Sequence, residues 1–64
     1  MLIFRVTRRS CPSHEWHAVP ALFSSKEKAL NFVTSQQYYR YRIERMCVDV
    51  FPADWDVIIK KGDY

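Results

Sequence analysis

The sequence predicts an α+β domain: a single helix packed on one face of a small antiparallel sheet, in the order β-β-α-β with a fourth strand after it. Three observations carry that prediction. Two β-rich segments open the chain, "LIFRV" and "WHAVPALF", with the turn-rich "RRSCPSHE" between them. The stretch "SSKEKALNFVTSQQ" has helical periodicity. A third β-rich segment, "YYRYRIERMCVDVF", follows it. A right-handed crossover from the second strand through the helix puts the third strand beside the first. The sheet order is then 2-1-3-4.

Each element has a local reason. In the first strand Leu2, Phe4 and Val6 alternate with Ile3, Arg5 and Thr7, the period of two that a sheet with one covered face requires. The second strand contains Pro20, which has no N–H for a ladder. An edge position or a bulge is therefore expected. In the helix, Ser24 followed three residues later by Glu27 reads as a capping box. Ala29, Leu30, Val33 and, at its margin, Phe32 make the apolar face. In the third strand Tyr39, Tyr41 and Ile43 are apolar at odd positions, but Met46, Val48 and Val50 are apolar at even ones. A straight strand would turn one set outward, so a bulge or bend is expected near Glu44–Arg45. "FPAD" reads as a type I turn with Pro52 in its second position. Residues 52–61 fit either a strand or a short helix, and β-branched "DVII" favours the strand.

Size and composition narrow the function. A chain of 64 residues buries only about 60% of its unfolded surface, and one core of that size rarely supplies more than roughly 3–5 kcal/mol. That leaves little room for a deep cleft. "MLIFRVTRR" runs from apolar to basic, the reverse of a secretion signal. No run approaches the ~18 apolar residues of a membrane span. A cytoplasmic protein is expected, a monomer or small homo-oligomer with no membrane partner. The net charge of +3 permits an anionic partner without requiring one.

No chemistry-bearing motif is complete. Cys11, His14, His17 and Cys47 are the residue types zinc takes. The cysteines are far apart, however, and the near ligands straddle a turn and a strand start, so no metal or other cofactor is expected. "HEWH" is one residue short of the His-Glu-x-x-His zinc motif. A Cys–His nucleophile pair would lack an orienting group and a glycine-rich oxyanion loop, since the only glycine is Gly62. The chain is read as not an enzyme.

The candidate site is a surface. If Phe4, Val6, Tyr41 and Ile43 face the helix, then Arg5, Arg9, Tyr38, Arg40 and Arg42, with Glu44, share the bare face. Tyr39 would join Tyr41 in the core. Arginines gathered on adjacent strands repel one another unless an acid or a ligand compensates, and their planar forks suit carboxylate and phosphate alike.

The stretch Leu22–Glu44, with "FSSKEKALNFV" leading into "YRYRIE", resembles many small bacteriophage proteins. In those, a hydrophobic-Phe-Ser-Ser-x-Glu-Lys-Ala helix start precedes a Tyr-x-Ile-Glu strand. The matching motifs are structural and cover about a third of the chain. The layout and length are also similar to small phage inhibitors of host RNA polymerase, although no contact residue matches. "PADWDVIIKKGDY" departs from both patterns. The resemblance implies an interaction module that modulates or inhibits a host protein. A nucleic-acid-binding module using the same basic face is the alternative.

Overall fold

The computed structural model describes residues 1–9, 15–51 and 53–62. It contains four strands and one helix: β1 (Leu2–Arg8), β2 (His17–Phe23), α1 (Lys26–Gln36), β3 (Tyr41–Cys47) and β4 (Asp56–Lys61). The strands form one antiparallel sheet in the order β2-β1-β3-β4. This is the predicted α+β architecture. Helix α1 lies across β1, β2 and β3 on one face, and the described residues place no helix on the other.

The buried core is Phe4, Val6, Ala29, Val33, Tyr41 and Ile43. Val6 and Ile43 sit directly opposite each other on the two central strands, and both are fully buried. Phe23, Phe32 and Tyr38 pack around this core. Phe32 on the helix lies 5.2 Å from Phe23 and 6.0 Å from Tyr38, centroid to centroid, in tilted and edge-on arrangements that suit aromatic quadrupoles.

The helix begins one residue later than the sequence suggests. Ser25, in an extended conformation, is its N-cap and accepts a hydrogen bond from the Lys28 N–H at 3.2 Å. The Ser24 hydroxyl instead meets the Lys28 Nζ at 3.1 Å. With Ser25 as cap, Lys28 rather than Glu27 occupies the third helical position, so the expected capping box does not form. At the other end Gln37 adopts a left-handed conformation (φ 57°) and turns its N–H back to the Val33 and Thr34 carbonyls.

Pro20 lies on an edge strand, where the pairing of β1 with β2 slips between Arg5 and Thr7. Both devices expected for this proline are thus present. The bulge expected in β3 near Glu44–Arg45 is not there. β3 pairs with β1 in unbroken register from Leu2↔Cys47 to Arg8↔Tyr41. The irregularity belongs to β4: Ile43 faces Ile59 and Glu44 faces Val57, leaving Ile58 as the extra residue. That extra residue lets consecutive Ile58 and Ile59 both pack on the core. The parity fault in β3 is resolved differently. Met46 pairs with Ile3 on the open face, while Val48 and Val50 lie beyond the strand. Residues 56–61 form the strand preferred over a helix. The turn placed at Pro52 lies outside the described residues.

Candidate functional site

The site residues are positioned by the register of the two central strands. Arg5 lies opposite Glu44, and Thr7 opposite Arg42. Both pairs alternate with the Phe4 and Val6 positions that face the helix, so both stand on the open face. The Arg5 Nε donates to the Glu44 Oε1 at 2.8 Å. Glu44 is only 8% exposed, although it lies on the side of the sheet opposite the helix.

Two tryptophans lie against the arginines of this face. Trp55, just before β4, lies with its ring centroid 4.2 Å from the Arg5 guanidinium carbon. Trp16, just before β2, lies 4.1 Å from that of Arg42 and 4.6 Å from that of Arg9. The rings therefore reach inward from the two edges and brace arginines of the central strands. Such contacts contribute about 0.5–1 kcal/mol each when solvent-exposed. Thr7 is 6% exposed on this same face. Its Oγ1 and the Arg42 Nε, on facing residues, are both buried without a hydrogen-bond partner among the described residues.

Of the residues assigned to this face from sequence, Arg5, Arg9 and Arg42 come together there. Lys60, opposite Arg42 on β4, adds a fourth cation. Arg40 precedes β3 at the end of the sheet, where its carbonyl accepts the Arg9 N–H at 3.3 Å. Tyr38 does not belong to the open face. It packs against Phe32 on the helix side and carries the Arg8 guanidinium 5.2 Å from its ring. The reason is that β3 starts only at Tyr41, so the strand alternation does not extend back to Tyr38. Tyr39, expected in the core, is 82% exposed for the same reason.

Sequence reasoning did not pair the tryptophans with these arginines, although the His14–Trp16 turn region and the Asp54–Asp56 edge were the alternative surfaces it offered. Their signal was present: each immediately precedes an edge strand. For Trp55, the extra residue in β4 reverses the alternation, so it lies on the open face while Ile59 faces the core.

Of the zinc-type residues, Cys11 and His14 lie outside the described residues. Cys47 is exposed with a free thiol. Among the described residues no group of three His, Cys, Asp or Glu side chains converges, and no helix is long and apolar enough to cross a membrane. In comparisons with known proteins, no family model, no curated protein and no solved structure matches this chain.

Proposed function

We propose that this protein is a non-catalytic binding module that docks an acidic protein surface on its open sheet face. The observation that carries this reading is the bracing of Arg5, Arg9 and Arg42 against Trp16 and Trp55, with Glu44 as the acid opposite Arg5. Arginine and tryptophan are the side chains that most often dominate binding energy at protein interfaces. A guanidinium already resting against a ring loses less freedom when it takes a carboxylate in its fork. The resemblance to small bacteriophage proteins fits a host protein as the partner, inhibited by having its own surface covered.

Nucleic acid is the second reading, favoured by the same cations and by tryptophans on an open sheet. Protein is preferred because both rings already carry guanidiniums on faces that bases would need for stacking.

The test pairs two measurements on the wild type and Arg42→Glu. One is capture from nuclease-treated bacterial lysate, followed by titration of the purified captured protein. The other is titration of single- and double-stranded oligonucleotides at two salt concentrations. The expected result is a captured protein that binds wild type and loses at least about tenfold in affinity with Arg42→Glu, by replacing attraction with repulsion. Retention by both variants alike would move the interface elsewhere. Steeply salt-dependent oligonucleotide binding without a protein partner would establish the nucleic-acid reading instead.

A further inference from the structure

Where β2 ends and α1 begins, a cavity of about 650 Å³ opens beside the start of β1. Leu2, Phe4, Leu22 and Phe23 give it an apolar lining, and Lys26 is the one charged side chain on it among the described residues. We propose that this cavity binds the C-terminal end of a partner polypeptide, with an apolar last residue inside and the terminal carboxylate at the start of α1. The inference is independent of the docking face, because Phe4 and Phe23 belong to the helix side of the sheet.

The backbone here suits an extended chain. The Val48 N–H donates to the Met1 carbonyl at 2.8 Å, so Met1 turns its carbonyl toward the β3 side. Successive residues of an antiparallel strand turn their polar groups to alternate edges. Leu2 therefore points its N–H and C=O toward the β2 side. The pairing of β1 with β2 stops at Phe4↔Phe23, and among the described residues no strand faces Leu2 on that edge. An unpaired edge of this kind is a template for an added strand. The lane beside Leu2 is closed at one end, because the chain turns from Phe23 through Ser24 and Ser25 into α1, and both serines line the cavity. A polypeptide entering from the Met1 end must stop there. The lane takes a chain end, not a strand passing through.

Charge decides which end. Lys26 lines the cavity next to the two serines, and the Lys28 Nζ lies 3.1 Å from the Ser24 hydroxyl. Among the described residues no carboxylate lines the cavity, and none pairs with Lys26. Two ammonium groups repel an α-amino terminus and attract a carboxylate. The Ser24 oxygen accepts from Lys28, which leaves its own proton to donate to the carboxylate. The volume falls within the roughly 300–1,000 Å³ of ligand sites. Leu22 and Leu2 are 64% and 45% exposed, and an apolar side chain placed against them removes that surface from water. A fatty acid would meet the lysines and the apolar lining but leave the Leu2 edge unpaired, so a polypeptide end is the better match.

The test is a titration of 15N-labelled protein, read by amide chemical shifts. The probes are acetyl-Ala-Val-Leu and acetyl-Ala-Val-Phe as free acids, the same peptides as C-terminal amides, and decanoate below its micelle concentration. Saturable shifts at Leu2, Ile3, Ser24 and Ser25 are expected with at least one acid, with its amide bound about tenfold more weakly. Lys26→Glu should weaken the acid by about tenfold and leave the amide unchanged. That variant should fold, because an acid in the first turn suits the helix dipole. If it does not, Lys26→Gln takes its place with the same expectation. Equal binding of acid and amide would overturn the proposal, as would unchanged affinity of the acid in the folded variant. Decanoate bound as tightly as the acid would replace the polypeptide end with an apolar anion. An absence of saturable shifts with both acids would overturn the proposal as well.

Discussion

A carboxylate at 8% exposure on the open face of a sheet needs a cation, and Arg5 supplies it from the facing strand position. The Arg5 side chain keeps 28% of its surface accessible against 10% for Glu44. The pair therefore lies between a surface ion pair, which contributes little, and a buried one, whose breakage is expensive. Arg5→Ala should cost about 1–3 kcal/mol in a denaturant melt, because Glu44 is left covered and uncompensated. Adding Glu44→Leu to that variant should recover part of the loss. A double variant no more stable than the single one would mean that Trp55 packing, not charge, sets the cost. The alternation of Arg5 and Arg42 was legible in the sequence because both lie inside regular strands. Tyr38 was misplaced because the sequence does not show that β3 starts three residues after it, and strand alternation applies only within the strand. The pairing of Trp16 and Trp55 with these arginines was missed because cation–π pairing joins residues distant in sequence, and no local pattern marks it.

The elements were more legible than their ends. Strand order, helix and edge proline all followed from periodicity and connection rules. The cap did not, because Ser24 and Ser25 are adjacent and both can accept from a helix N–H. The choice fell to Ser25, whose extended backbone (φ −148°, ψ 157°) aims its oxygen at Lys28. Ser25→Ala should therefore lower stability by about 1 kcal/mol, and Ser24→Ala by a few tenths at most, as paired melts would show. The reverse ranking would restore the capping box with Glu27. The bulge was expected in β3 and is found in β4. A register fault between two paired strands can be absorbed by either one, and sequence alternation shows the mismatch but not its owner. Ile58 and Ile59 favour β4, because the extra residue buries apolar surface there that a regular strand would expose.

At the scale of the molecule, the core is small and centred on two side chains, Val6 and Ile43, with no accessible surface. Ile43→Ala should cost about 2–5 kcal/mol, comparable to the roughly 3–5 kcal/mol that a core of this size supplies. The variant should be largely unfolded at room temperature by far-UV circular dichroism. A folded Ile43→Ala protein would mean that the stability comes from elsewhere. Arg42→Glu, on the open face, should fold normally. The core and the proposed docking face thus lie on opposite sides of one sheet. At Gly62 a Cβ would collide with the Tyr39 carbonyl and crowd Arg40. The residue that follows β4 therefore lies close against the backbone that leads into β3. A displacement of the Tyr39–Arg40 backbone would be felt at the end of β4. The opposite end of β4 follows Trp55, which rests on Arg5. The last strand can therefore act as a lever, carrying a displacement from the arginine loop to the far edge of the docking face.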